Sequence, residues 1–454
     1  MFRTLDVKKR INRNCMSKKE VPTMKKMTSR ERVIAALNHQ PTDRCPIDLG
    51  SSGQTGMNAS TMYRFRKALG LEERPIKLIE PLQMLGEVDE DLRRAVHGDI
   101  VGLWNRGNMM GFSQDEWKPY TMYDGTPCLI GSGFEYDLNE NGDTLVYSCG
   151  DRNANYAFMM PKGGSFFDNV DHFAEEFDWD LDEEDLTPVE DFKDDFQVMT
   201  DEDARYIEDT CRKLYEETDC AIMGNLGGFG IGDAAFVPGP AVKYPRGIRK
   251  VADWMMATAM FPGYVDAVFS YQEEVMLKNL EIYKQAVGDR IQSICISGTD
   301  FGTQRGLFMS KDTFRSLYKP HYKVINDWVH NNTNWKTYYH TCGCVNELLD
   351  DFVEMGLDCL NPVQFSAMEP AGMTPERLKK EYGDKLIFWG GGVDTQRVLP
   401  FGTPEEVIAQ VKERVEALNK NGGFIFNTIH NVVANVPAEN LIAMYETVLG
   451  EKII

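Results

Sequence analysis

The stretch KTYYHTCGCVNELLDDFVEMGLDCLNP, residues 336–362, decides the fold. It opens with a short apolar run, Lys336–His340, and closes with another, Asp358–Pro362, and both runs are typical of buried strands. Between them, Val345–Met355 has the spacing of apolar and polar residues that predicts an amphipathic helix. A strand, a helix and a second strand in this order predict two parallel neighbours in one sheet.

The same unit recurs on both sides of this stretch. Helical patterns lie between most of the runs, as at Pro404–Lys420, and Thr28 is predicted to cap a first helix through Val33–Leu37. About eight such repeats predict an α/β protein with a closed (β/α)8 TIM barrel. A doubly wound sheet is the alternative, and it is disfavoured because Ser51–Gly56 lacks the glycine spacing of a nucleotide-binding turn. The further strand-like runs are Cys45–Gly50, Asp99–Trp104, Cys220–Leu226, Ile291–Ser297, Leu386–Gly391 and Phe424–Asn427.

One region breaks the alternation of strands and helices. Residues 117–166 are rich in turn residues, which predicts a small antiparallel β-meander inserted after the second barrel strand. Residues 171–203 follow with sixteen acidic side chains and one basic one, and we interpret them as a solvated linker or helix face, with a cation site as the alternative. The whole insertion is expected at about 105–205, within a single domain that spans 27–454.

Composition limits the classes of partner. The formal net charge of −21 and the sequence pI of about 4.9 oppose binding to nucleic acid. No run of roughly 18 apolar residues is present, so no membrane span is expected. Ten cysteines in 454 residues are too sparse for a disulfide scaffold, which favours a cytoplasmic protein. Whether the chain forms a homodimer is left open.

The N-terminal segment is considered separately. Residues 1–26 carry nine basic and two acidic side chains with no apolar core, and we expect a disordered tail. A transit peptide is the alternative interpretation.

Two histidines and a cysteine mark a candidate metal site. His340 and Cys342 follow the fifth predicted strand and are two residues apart on extended chain, so their side chains point the same way and suit one zinc ion. Cys344 continues the alternation and competes as a ligand. His430 follows the eighth predicted strand, and it could approach His340 across the barrel mouth or simply cap a loop.

Other polar and aromatic residues are predicted at the same rim of the barrel. Asp300 and Gln304 follow the fourth strand and could orient a metal ligand or bind substrate. Three glycines before Asp394 allow close approach of a ligand to the backbone. The remaining candidates are Asp48 and Asn225 at strand ends, Tyr338 and Trp389 as walls of a pocket for an aromatic ligand, and Asn431 as a catalytic or substrate-binding side chain.

Taken together, the motifs from Met27 to Leu449 resemble the uroporphyrinogen decarboxylase superfamily. The resemblance rests on Thr28-Ser29-Arg30-Glu31-Arg32-Val33 with Pro46, Asp300–Gly306, His340-x-Cys342-Gly343, Gly390-Gly391-Gly392-Val393-Asp394-Thr395 and Pro437-Ala438-Glu439-Asn440-Leu441. It implies a (β/α)8 barrel and two competing activities. The decarboxylases bind an anionic porphyrinogen through an arginine-bearing loop after the first strand, and here the loop Gly50–Gly56 has no arginine.

The second branch resembles cobalamin-dependent methyltransferases, whose zinc is held by His-x-Cys and a distant cysteine. His340 and Cys342 match the first two ligands, and His430 occupies the position of the third. A second imidazole in place of a thiolate leaves a more positive zinc, which suits an oxygen ligand. The resemblance therefore implies transfer of a methyl group from a small methylated donor, with oxygen as the leaving atom, to cobalamin on a partner corrinoid protein. Asp300 and Asn431 are the catalytic candidates. A porphyrinogen-type carboxy-lyase and a non-catalytic protein that binds a corrinoid or a small ligand are the alternatives.

Overall fold

A curled sheet of seven parallel strands forms the centre of the computed structural model, which describes residues 25–171, 176–226, 230–368 and 372–454. Each strand is hydrogen-bonded to the next one along the chain. The strands are Ile100–Leu103, Ala221–Asn225, Ser293–Ser297, Lys336–His340, Cys359–Asn361, Ile387–Trp389 and Phe424–Ile425.

Ile47 joins the two edges of this sheet. It forms a parallel bridge with Phe426, and its carbonyl accepts the amide of Asp99 at 2.8 Å. The segment around Ile47 thus takes the place of the first strand and closes the ring. The predicted (β/α)8 TIM barrel is confirmed, and the doubly wound alternative is wrong because an open sheet would leave these two edges unpaired.

Helices follow the strands around the barrel, as the alternation in the sequence predicts. Two of them begin with a capping box, in which a threonine at the N-cap and a glutamate three residues later satisfy free backbone N–H groups: Thr28 with Glu31, and Thr403 with Glu406. The principal helices are Ser29–Leu37, Ala59–Ala68, Glu90–Ala95, Asp201–Glu217, Val251–Met260, Pro262–Val287, Lys319–Asn332, Leu349–Glu354, Pro375–Tyr382, Pro404–Leu418 and Ala438–Leu449.

The interior of the barrel is a packed core. Alternate strand residues point inward, and Tyr338 and Trp389 meet there edge to face with ring centroids 5.1 Å apart. Val33, Ala36 and Leu37 of the first helix belong to the same buried cluster and cover the N-terminal end of the barrel. The opposite, C-terminal end of the barrel is where an active site is expected in this fold.

The region between the second and third barrel strands forms two small sheets. One is antiparallel in the order Tyr136–Leu138, Thr144–Tyr147, Tyr156–Met160 and Asp168–Asn169. The other pairs Trp117–Thr121 with Pro127–Gly131, and the latter also pairs, in parallel, with Ile76–Glu80. The strand Ile76–Glu80 was not predicted from the sequence. It precedes the second barrel strand and connects the insertion to the loop after the first strand.

The acidic segment is partly buried, which differs from the predicted solvated linker. Phe192 is buried and packs against Trp254, with ring centroids 5.5 Å apart. Trp179 stacks on Phe261 at 5.5 Å. These aromatic contacts hold the acidic segment against the helices that follow the third strand.

Residues 1–24 of the predicted basic tail lie outside the described residues, and the extent of the predicted domain stays a prediction. Within the described ranges no helix combines the length and apolar character needed to cross a bilayer.

Candidate metal centre

His340, Cys342 and His430 meet at the C-terminal end of the barrel. Their ligand atoms all lie within 4.8 Å of one another. The Sγ of Cys342 is 3.2 Å from Nε2 of His340, and the two imidazole rings are 5.1 Å apart. Ligands around one zinc are separated by roughly 3.5 Å, so small adjustments would let this group hold a metal ion. Cys344 is not part of the group. Gly343, with a positive φ, turns the chain between Cys342 and Cys344.

Asn361 determines the tautomer of His340. Its Oδ1 lies 2.5 Å from Nδ1 of His340, and its Nδ2 donates to the carbonyl of Trp389 at 2.7 Å. The carbonyl can only accept, so the amide is oriented with its oxygen towards His340. Nδ1 of His340 must therefore carry the proton, which leaves the lone pair of Nε2 free for a metal.

Backbone contacts between two loops hold Cys342 in place. Asp300 accepts the amide N–H of Cys342 at 2.6 Å, and Thr303 accepts that of Cys344 at 2.7 Å. Gly302 and Gly343 allow this approach: a Cβ on Gly302 would lie 2.7 Å from the nitrogen of Cys344, and Gly343 has φ +82°. The loops after the fourth and fifth strands are thus fixed to each other.

The eighth strand positions His430 by a tight turn. The hydroxyl of Thr428 donates to the carbonyl of His430, and the amide of Ile429 donates to Val393 at 3.0 Å. The ring of His430 faces His340. The geometry therefore disfavours the alternative that His430 only caps this loop.

Burial keeps both imidazoles neutral. It lowers the pKa of His340 to about 4 and, with the neighbouring His340, that of His430 to about 3. The pKa of the Cys342 thiol is raised by burial and by the carboxylate of Asp300. Each neutral imidazole has a lone pair available to a metal ion. The thiolate form of Cys342 would be favoured over the thiol only by a cation at this position.

A cavity of about 720 Å³ opens beside the metal group. Its charged lining consists of six carboxyl side chains and one arginine, Arg106, which is already paired with Glu202 and Asp203. The aromatic side chains of Trp104, Phe192, Phe196, Phe236, Trp254 and Phe269 form much of its wall. The volume suits a small or drug-sized organic ligand, and the charge disfavours an anionic one.

Two further predicted residues do reach this cavity. Asp300 lies with Oδ1 3.9 Å from Nε2 of His340, and burial raises the pKa of its carboxyl. Asn225, at the end of the third strand, lines the cavity wall while its Nδ2 donates to the carbonyl of Ser51 at 2.8 Å.

Three predicted substrate-binding residues instead lie inside the barrel. Asp48 accepts Nε1 of Trp389 at 2.8 Å and the hydroxyl of Ser51 at 2.9 Å, and burial raises the pKa of its carboxyl to about 6. Tyr338 is fully buried in the same interior. Their side chains belong to the barrel core because the inward-facing positions of the strands are filled below the rim.

The other three predicted residues lie in loops. Asp394 accepts the amides of Gln396 and Arg397 and so caps a turn. Gln304 is exposed and does not line the cavity where the structure describes it. Asn431 accepts the amide of Gly56 at 2.6 Å and donates to Gly53 and Gln83, so its amide organises the loop after the first strand.

Two residues of the site were missed by the sequence analysis. Asn361 ends the sixth strand, and the rule that strand ends meet at one rim could have identified it. Asp233 lines the cavity from an irregular segment after the third strand, where no spacing marks it.

Comparison with known proteins supports the architecture. A family model described as uroporphyrinogen decarboxylase (URO-D) matches residues 252–450. No curated protein matches the sequence. Among solved structures, a methyltransferase from Methanosarcina mazei matches with a TM-score of 0.53 and 15% sequence identity, over 94% of this chain and 99% of that one. At this identity the likeness shows a shared fold. The matched region 252–450 contains the last five barrel strands and the whole candidate metal group, and over this region the chain is similar to the uroporphyrinogen decarboxylase family.

Proposed function

We propose that the protein is a zinc-dependent methyltransferase that moves a methyl group from a small methylated donor to the cobalt of a corrinoid carried by a separate protein. The donor is expected to release its methyl group from oxygen. The observation that carries the proposal is the convergence of His340, Cys342 and His430 on one position at the C-terminal rim of the barrel, beside a cavity that His340 and His430 line.

The donor set fits zinc. Two neutral imidazoles and one thiolate are common zinc ligands, and three protein ligands leave a fourth position for a substrate, as in catalytic sites. With one thiolate the ion would keep a charge of about +1 and act as a Lewis acid towards an ether oxygen. Asn361 supplies the outer hydrogen bond that zinc-binding histidines usually make.

The surrounding residues favour a neutral donor. Carboxyl groups dominate the charged lining of the cavity, and the aromatic wall offers apolar surface to an aryl ring or a short alkyl chain. A porphyrinogen with several carboxylates would find no unpaired arginine or lysine in the described lining of this cavity, and the loop Gly50–Gly56 provides no arginine to bind it. These observations support methyl transfer over decarboxylation.

Metal analysis of purified protein tests the site. We expect one zinc per chain, and loss of most of it in His340→Ala, Cys342→Ser and His430→Ala. Cys344→Ser is the matched control, since this thiol lies two residues from Cys342 but outside the metal group, and it should keep its zinc. A native protein with far less than one zinc, or full zinc in the His430 variant, would contradict the proposed ligand set.

Turnover tests the reaction. Methoxylated aromatics and methylamines are incubated with the zinc-loaded protein and cob(I)alamin, while the absorbance change to methylcob(III)alamin is recorded. Demethylation of an ether supports the proposal, whereas consumption of porphyrinogen by metal-free protein supports the carboxy-lyase. Tight binding of a ligand with no turnover by any donor would indicate a binding protein.

A further inference from the structure

The carboxyl group of Asp233 faces the cavity with one oxygen unpaired. Its Oδ1 accepts the amide N–H of Ala235 at 2.9 Å. Among the residues that the structure describes, Oδ2 has no hydrogen-bond partner, although Asp233 is only 9% exposed. The turn that carries it is rigid, because the carbonyl of Gly230 accepts the amide of Asp233 and the carbonyl of Asp233 accepts that of Phe236.

The two hydroxyl groups beside this carboxyl, those of Thr299 and Ser297, are already committed to other partners. The hydroxyl of Thr299 bonds to the carbonyl of Ile231 at 3.0 Å and to the phenol of Tyr322 at 2.9 Å. Ser297 bonds to the same phenol at 2.7 Å. The carboxyl fits against this network because residue 230 is glycine: a Cβ there would lie 2.9 Å from Oδ2. Oδ2 therefore faces the cavity, where it is available to a ligand.

In the metal-free chain, burial favours the neutral form of the Asp233 carboxyl. Burial and the nearby charge of Asp300 together raise the pKa of Asp233 to about 7 in the metal-free chain. Because Oδ1 accepts an N–H, the proton of the neutral acid resides on Oδ2, where it can be donated into the cavity. The other ionisable groups that interact with Asp233 are Cys342, Tyr318, Tyr322 and Tyr339. These four groups supply no positive charge, whereas a zinc ion on Cys342 would lower the pKa of Asp233.

We propose that Asp233 is the general acid of the reaction, a catalytic residue that gives its Oδ2 proton to the oxygen leaving the methyl group. This inference rests on the proposed function and deepens it. The bond between the methyl carbon and oxygen breaks with its electron pair going to oxygen. The methyl carbon is bonded by an electron pair from a reduced cobalt corrinoid, which is thereby oxidised by two electrons. The proton on oxygen yields a neutral alcohol or phenol and leaves Asp233 as a carboxylate.

The inference specifies the substrate class. A proton donor is needed most when the leaving oxygen is strongly basic, as in alkyl methyl ethers and in methoxyphenols without electron-withdrawing groups. It is needed least for a nitrophenyl methyl ether, whose phenolate is stable. A quaternary ammonium donor would need no proton at all, because its leaving group is already a neutral amine.

The test compares leaving groups in Asp233→Asn, which keeps the size of the side chain and its bond to Ala235. With methoxybenzene, methyl transfer to cob(I)alamin should fall by about 10²–10⁴-fold. With 4-nitromethoxybenzene it should fall by less than about 10-fold, because that leaving group needs no proton. Asp327→Asn removes an exposed carboxyl that pairs with Lys323 and does not line the cavity, and it should leave both rates unchanged. An equal loss with both ethers would overturn the assignment.

A readout independent of turnover is the infrared spectrum of the carboxyl group. The difference spectrum between the native protein and Asp233→Asn, recorded with and without zinc, should contain a protonated carboxyl band at pH 5 that is replaced by a carboxylate band as the pH rises. A carboxylate band already present at pH 5 would overturn the assignment. Zinc content and circular dichroism verify that the variant is folded, and Asp233→Ser provides a second variant. If the native protein transfers no methyl group from any donor, the proposed function fails, and the infrared result still decides whether Asp233 holds a proton.

Discussion

The hydrogen bond from His340 to Asn361 sets the state of the metal group before any ion binds. An imidazole that rotates or exchanges its proton between nitrogens presents its lone pair only part of the time, and binding must then offset the cost of ordering it. The carbonyl of Trp389 prevents this by orienting the amide of Asn361. The side chains of the candidate metal group are therefore preorganised by residues outside the group.

Replacement of Asn361 by alanine should weaken zinc binding by about 10–100-fold, the usual effect of losing an outer partner of a zinc-bound histidine. Competition with a chromogenic chelator measures the affinity. Asn326→Ala is the control, because Asn326 is equally buried and donates to the carbonyl of Met355 far from the metal group. Equal zinc affinity in both variants would show that Asn361 has no such role.

Asp233 also predicts a pH dependence of stability. Its pKa is raised to about 7 in the folded chain, while in the unfolded chain it titrates near 4. The stability contributed by the neutral carboxyl is complete below pH 4 and is lost as pH rises through 7. Asp233→Asn has no such loss, so its Tm relative to the native protein should rise between pH 5 and pH 8, by a change in unfolding free energy of at most about 4 kcal/mol.

Differential scanning calorimetry at the two pH values measures this comparison. The titration of Asp48 and Glu80, which are also buried with raised pKa values, occurs in both proteins and cancels in the difference. A Tm difference that is the same at pH 5 and pH 8 would mean that Asp233 is ionised at both.

Predictability from sequence differs from residue to residue in this site. His340 and Cys342 could be paired from spacing alone, because the alternation of an extended chain fixes which side chains share a face. Tyr338 and Trp389 were misassigned to the pocket because the sequence does not tell where the filled interior ends and the open rim begins. Asp233 lies eight residues beyond its strand in an irregular turn, and only tertiary structure brings it to the cavity.

Among the elements, the loops after the fourth and fifth strands act as one unit. Gly302 and Gly343 are in backbone contact, and this contact places Asp300 against the amide of Cys342.

The barrel strands and most helices could be predicted because their periodicity is local. The pairing of Ile76–Glu80 with Pro127–Gly131 could not, since it joins segments about fifty residues apart by backbone hydrogen bonds that carry no side-chain signal.

Gly302→Ala should separate these two loops. The added Cβ would meet the backbone nitrogen of Cys344 at 2.7 Å, and the backbone must move because it cannot rotate away. We expect a destabilisation of about 1–3 kcal/mol together with weaker zinc binding. Gly306→Ala lies in the same loop with nothing within 4 Å and should change neither property, as measured by thermal unfolding and zinc titration. Normal zinc affinity in Gly302→Ala would show that the contact does not position Cys342.

For the whole molecule, closure of the barrel and the candidate chemistry lie at opposite ends. Asp99, at the N-terminal end of the second strand, is fully buried and pairs with Arg32 and Arg44. It also accepts the amide of Ile47 at 2.9 Å, at the point where the ring closes. In a (β/α)8 barrel this end is devoted to stability, while the loops at the other end are devoted to function.

Asp99→Ala should therefore lower stability without altering the metal group. It removes the carboxylate from two arginines, one of them buried, and frees the amide of Ile47, which should cost about 3–5 kcal/mol in unfolding free energy. Asp327→Ala, which breaks an exposed pair with Lys323, should cost less than about 1 kcal/mol. Zinc content and affinity, measured well below the lowered Tm, should equal those of the native protein. A loss of zinc in Asp99→Ala below its Tm would mean that the two ends of the barrel are coupled and that the metal group depends on closure of the ring.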